Sequence, residues 1–206
     1  MIKRGDVGIN MVGRREVLRA VTVAGLASVA GCNGDGSGTA TTTMIGDTMP
    51  GFEITTAAFD DGGTVPIKYT CSGADVSPPL SIEGVPDEAV ALALVVDDPD
   101  APGGVFTHWL LWNVPPGTGS IPEGVPTTET VDDLGGARQG TNDFGEIGYR
   151  GPCPPKSDGA HTYRFKLFAL DAELDVDAGV EASAVNDAID DHRVATARLT
   201  GEFNRD

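Results

Sequence analysis

Three histidines occur in the 206 residues, and two of them share a setting. His108 follows the loop 97–105, DDPDAPGGV, within the run FTHWLLWNV (106–114). His161 follows the Gly- and Pro-rich loop 151–159 and leads into YRFKLFALD (163–171). Imidazole changes charge near neutral pH, and a carboxylate beside one ring nitrogen orients the ring and favours its charged form. Asp98 is placed to be that carboxylate if the end of the apolar run ALALVV (91–96) meets the starts of the two histidine-bearing runs. The product would be a compact polar cavity of one carboxylate and two imidazoles over an apolar floor. Its chemistry would be the binding of a ligand, or proton abstraction by His108 or His161. A purely structural reading stands beside this one, because Asp and Pro crowd turns for local hydrogen-bonding reasons.

The remaining chemistry is sparse. His192 lies at three- and four-residue spacing with Val185, Ala188 and Ile189, so packing on a helix's apolar face is its expected role. No GxSxG elbow and no Ser/His/Asp order accompanies the histidines, which ranks a hydrolase last. No CxxC or HxxxH spacing supports zinc, so neither a metal nor another cofactor is expected. Cys71 and Cys153 each sit in a turn abutting the supposed cavity and form a candidate disulfide if the compartment is oxidising. The alternative is two separate buried thiols.

The elements that must position these groups read as short apolar runs between turn clusters, a mainly β pattern. FEITTAAF (52–59) and TVPIKYT (64–70) alternate about DDGG and predict a hairpin. LSIEGV (80–85) predicts a short edge strand, and ALALVV with FTHWLLWNV predicts the central pair. Residues 115–140 show little periodicity and predict a long surface loop. The alternation in 163–171 predicts the last long strand with one buried face. Spacing then predicts an amphipathic helix from about 181 to 192, and RVATARLTGEF after it fits either a final strand or a continuation of that helix.

Four stretches carry a resemblance: YTCSGADVSPPL (69–80), DDPDAP (97–102) with THW (107–109), GARQGTNDFGEIGYRGPCPP (136–155) and HTYRF (161–165). Over roughly 44–204 the chain resembles the phosphatidylethanolamine-binding protein family, in particular its bacterial and archaeal branch, the Raf-kinase-inhibitor-like proteins. The resemblance implies a β-sandwich of two antiparallel sheets with Greek-key connections and a small C-terminal helical element. It also implies that Asp98, His108, His161 and Tyr163 line an anion site for phosphate or a phosphorylated headgroup. The loop Gly151, Pro152, Cys153, Pro154, Pro155 would supply a backbone N–H to that anion, its prolines fixing the loop's shape. Phe106, with Trp109, would form an apolar rim, and Asp98 would orient and charge an imidazole. Where the family often carries arginine between histidine and tyrosine, this chain has Thr162; that arginine usually points away from the pocket, so the change is expected to alter surface pairing only.

Composition sets the surroundings. Acidic residues number 31 and basic ones 14, a net charge of −17, yet 40% of residues are hydrophobic, so the chain has a core to bury. The Asp-rich, Lys-poor surface fits high salt, where a Debye length of ~3 Å at 1 M screens self-repulsion; an ordinary acidic secreted protein is the alternative. Nucleic acid is excluded as a partner, for no basic run exists to neutralise phosphates. Arg14-Arg15 precede a short apolar run, 20–31, that ends at Cys32 in SVAGC, which reads as a twin-arginine signal with a lipid-accepting cysteine, too short to span a membrane. Met11 is an alternative start. Removing residues 1–31 leaves nine basic and 29 acidic residues, a charge of about −20. Residues 32–43 would then tether the domain 44–206 to the outer face of the membrane. Three functions follow in order: an exported, lipid-anchored binding protein for a small anion, an inhibitor with a protease as partner and 117–140 as its protruding loop, and a hydrolase.

Overall fold

Residues 49–205 are described by a computed structural model. The expected signal segment, the tether and Cys32 lie outside the described residues.

Among the described residues ten strands and one α-helix follow in order: β1 Glu53–Thr55, β2 Gly63–Thr64, β3 Leu80–Glu83, β4 Ala91–Asp98, β5 Phe106–Val114, β6 Ser120–Ile121, β7 Thr130–Val131, β8 Ala137–Gln139, β9 Ala160–Leu170, α1 Ala182–His192 and β10 Arg193–Asn204. They form a three-stranded sheet, β1-β3-β6, and a seven-stranded sheet, β2-β10-β9-β4-β5-β8-β7. Within the larger sheet the order β9-β4-β5-β8 places the fourth strand of the series beside the first, which is the Greek key. The pairing is antiparallel except at β2, which runs parallel to β10.

The large sheet is covered on both faces, and this explains its sequence. One face packs Val96, Trp109, Leu111, Phe165 and Leu167 against Ile54, Leu80, Ile82 and Ile121 of the small sheet. The other packs Val95, Leu110, Trp112, Phe168 and Leu170 against Leu174 and against Val185 and Ile189 of α1. A central strand with two dry faces needs apolar residues at every position, and so β4 begins as the unbroken run ALALVV. Strands of the small sheet bury one face only and alternate, buried then exposed, at Leu80–Glu83.

Several expectations are corrected. The runs 52–59 and 64–70 do not pair: β1 joins β3, β2 joins β10, and Ile67–Tyr69 is a single 3-10 turn. Alternation alone specifies a half-buried strand but not its partner. The stretch 80–83 is the middle strand of its sheet, not an edge. The region 115–140 is no free loop, since β6 belongs to the small sheet and β7 and β8 to the large one; its strands are two or three residues long, too short to show a period. Residues 193–204 form a strand paired with β9 along its length. His192 does not pack in the core, for its ring is 40% exposed and Nδ1 pairs with Asp171 at 2.9 Å at the helix C-terminus.

Candidate functional site

The candidate site lies where β4 ends and β5 and β9 begin. Asp98 closes β4 opposite Phe106, and His161 stands second in β9. The facing of these side chains follows from strand period and one irregularity. Val96 pairs with Trp109 and Asp97 with Thr107, so His108 is an extra residue in β5, a β-bulge. A bulge lets two successive side chains face one side. Here His108 packs edge-on against Tyr163 (ring centroids 5.2 Å) while Trp109 packs against Tyr149 (5.5 Å) on the same face. Without the bulge, alternation would turn one of them into the helix-covered face.

A cavity of about 300 Å3 opens there, and among the expected residues Asp98, Phe106, His108, Cys153, Pro154 and His161 line it. Asp98 Oδ2 accepts from His161 Nδ1 at 2.8 Å, and its Oδ1 accepts the Asp100 N–H at 2.8 Å. Both oxygens are thereby engaged by hydrogen bonds. His108 Nδ1 lies 2.7 Å from the Arg150 carbonyl, which can only accept, so that nitrogen carries the proton. Among the described residues the side-chain hydrogen bonds of both rings are made at Nδ1, and the Gly151 backbone also lies beside the His108 ring. Burial pushes the His108 imidazole below its usual range, against the opposing pull of the Arg150 carbonyl and Asp98. His108 is therefore neutral at pH 7 with a lone pair at Nε2, and becomes a donor there only on protonation.

Two expected residues act from behind the cavity. Tyr163 is fully buried, and burial followed by the Asp98 charge holds its phenol well above its ordinary range, so it stays neutral. Gly151 has its N–H committed to Asp75 Oδ1 at 2.7 Å, which removes it as an anion donor. A side chain at 151 would overlap the Tyr69 carbonyl, so glycine is required for the close approach of the two backbones. With prolines at 152, 154 and 155, Cys153 carries the one other N–H of that loop. Cys153 is joined to Cys71 by a disulfide with Cα atoms 5.4 Å apart, and Arg205 Nη1 approaches Cys153 Sγ at 2.9 Å. Trp109 is not at the rim: it is fully buried and donates to Gln139 Oε1 at 2.6 Å. Thr162 offers its backbone N–H to Asp100 at 2.8 Å.

Sequence reasoning missed Phe144, the rim's second aromatic ring. It stands edge-on to Phe106 (4.8 Å) and His108 (5.3 Å), with the Arg150 guanidinium 5.6 Å from its centroid. The buried Asn142 holds this turn, its Oδ1 accepting the N–H groups of Phe144 and Glu146, and Asp143 ties the turn to β5 through the Thr107 N–H at 2.6 Å. The signal was the run Asn-Asp-Phe-Gly, whose first two residues favour such side-chain-to-backbone turns. Among the described residues no three His, Cys, Asp or Glu side chains are grouped to hold a metal, and no helix is long and apolar enough to cross a membrane.

Known proteins resemble this chain in sequence and fold. A profile of the family described as phosphatidylethanolamine-binding protein matches residues 55–204. A UPF0098 protein of Methanothermobacter thermautotrophicus is 47% identical over 152 residues, 74% of this chain and 98% of its own length. The crystal structure of Escherichia coli YbcL, titled a new member of the mammalian family, aligns with TM-score 0.71 at 32% identity over 75% of this chain and 99% of its own. LppC of Mycobacterium tuberculosis, named as a candidate lipoprotein, is 36% identical over 198 residues, 89% of this chain and 94% of its own.

Proposed function

Since this chain belongs to the phosphatidylethanolamine-binding protein family, we propose that it is a binding protein, not an enzyme, whose cavity takes a small anion: phosphate or a phosphorylated headgroup. The observation that carries this reading is the pair of rings fixed at Nδ1, by the Arg150 carbonyl and by Asp98, in the lining of one cavity. Neither a nucleophile nor a metal cluster accompanies them among the described residues, so binding is favoured over hydrolysis. Phe106 and Phe144 supply an apolar wall for an organic substituent. The similarity to a candidate lipoprotein over 198 residues supports export and attachment through Cys32, with 32–43 as the tether and 1–31 removed.

The test is calorimetry of the wild type, His108→Ala and His161→Ala from pH 5 to 8. The probes are a phosphate monoester, whose second proton titrates at about 6, and sulfate, which alone of the two keeps a constant charge over that range. Binding should strengthen as pH falls, because a protonated Nε2 donates to the anion, and each substitution should weaken it about tenfold or more. For His108 the gain develops below the ordinary value of about 6.5, since burial favours the neutral ring. Equal affinity in the three proteins, or sulfate binding that improves with rising pH, rejects the reading.

A further inference from the structure

Nine basic residues stand after position 31, against a strongly acidic background, and four of them gather in one place. Arg164, Lys166, Arg193 and Arg198 line a groove of about 640 Å3 on the face of the large sheet that α1 covers, with Asp97 and Asp190 as its acids. This is the reverse side of the sheet from the histidine cavity. Asp97, Thr107 and Arg164 each sit one residue from Asp98, His108 and Tyr163 and point the other way.

We propose that this groove is a second anion site, suited to a ligand with two or more adjacent phosphate charges, a diphosphate or a phosphorylated lipid headgroup. The Asp97 carboxylate is 3% exposed and binds two cations at once. Arg164 Nε meets Oδ1 at 2.7 Å and its Nη2 meets Oδ2 at 3.0 Å, while Lys166 Nζ meets Oδ2 at 2.7 Å. One negative charge thus holds two positive ones side by side at about a quarter exposure, and the trio keeps a net positive charge. Partly buried cations fixed in this way attract an anion with little further ordering and little screening by salt. Arg193 pairs with Asp190 at 3.6 Å, and Arg198 is exposed, with Asp61 as its acidic neighbour. The groove totals four positive and two negative charges on a chain of net −17, so the local sign opposes the global one. Phe168 and Ile189 form an apolar bed beside the cations, which a headgroup's organic part would cover.

The site is independent of the histidine cavity and is tested separately from it. Calorimetry of inorganic pyrophosphate with the full chain carrying His161→Ala reads the groove with the opposite cavity impaired. In that background Arg198→Glu should weaken binding about tenfold and Asn186→Glu, on α1 and outside the Asp97 cluster, about fivefold, whereas Asp190→Asn should tighten it about threefold. Melting curves confirm that each variant is folded. A parallel titration with dihexanoyl phosphatidic acid identifies the source of the charge, tighter lipid binding pointing to a headgroup and tighter pyrophosphate binding to a free diphosphate. Absence of pyrophosphate binding by the wild type, or affinities of the three variants within about twofold of one another, overturns the proposal.

Discussion

Asp97 and Asp98 are neighbours at the end of β4, each 3% or less exposed as a residue, and they serve opposite faces of one sheet. Asp98 meets an imidazole and a backbone N–H; Asp97 meets a guanidinium and an ammonium. The first set is built around an imidazole that turns a ring nitrogen to the cavity, the second around two cations held on one carboxylate. A strand whose side chains alternate faces can therefore place an imidazole-lined cavity and a groove lined by cations back to back.

The largest expected effect comes from the clamp that only the histidine face possesses. Replacing Cys71 and Cys153 together with Ser opens a cross-link over 82 positions and should cost about 4 kcal/mol, measured by urea unfolding. Sulfate binding should weaken with it while pyrophosphate binding to the groove persists; equal loss at both would merge the two faces into one unit. Next, Asp97→Ala leaves Arg164 and Lys166 together without their carboxylate and should destabilise by about 3 kcal/mol, whereas Asp98→Ala, which frees one imidazole, should cost about 1 kcal/mol yet abolish most sulfate affinity. If Asp98→Ala proves the more destabilising, the division of labour is wrong. The smallest effect is a pH slope. The folded His108 has a lowered pKa, so above the unfolded value of about 6.5 it contributes nothing, and as pH falls below that the unfolded chain takes the proton first and stability declines. Thermal melts between pH 7 and 5 should show this decline reduced in His108→Phe and reduced in the wild type by saturating sulfate, which favours the protonated ring. A slope unchanged by either removes His108 as its source.

Much of this architecture is local and could be read directly. Strands β4, β5 and β9 follow from the apolar run ALALVV, the aromatic and apolar run FTHWLLWNV and the alternation in YRFKLFALD, and α1 from the spacing of Val185 and Ile189, because each needs only its own period and a dry surface to face. The family resemblance likewise pointed to Asp98, His108 and His161, which the fold gathers around one cavity. Gly151 shows the limit of such reading. Its loop sequence suggested a free N–H, but Asp75, 76 positions away, accepts it.

By itself, then, the sequence determined a β protein with a helix near its C-terminus and a strong excess of acid, and through the family resemblance it pointed to Asp98, His108 and His161. Tertiary structure alone decided three things: that β1 pairs with β3, that the extra residue His108 turns two rings to one face, and that four scattered cations converge on the other. The physical reason is common to all three. Strand partner, register and bulge are fixed by which distant surfaces are buried together, and a shift of one residue reverses every side chain, so no local pattern contains them.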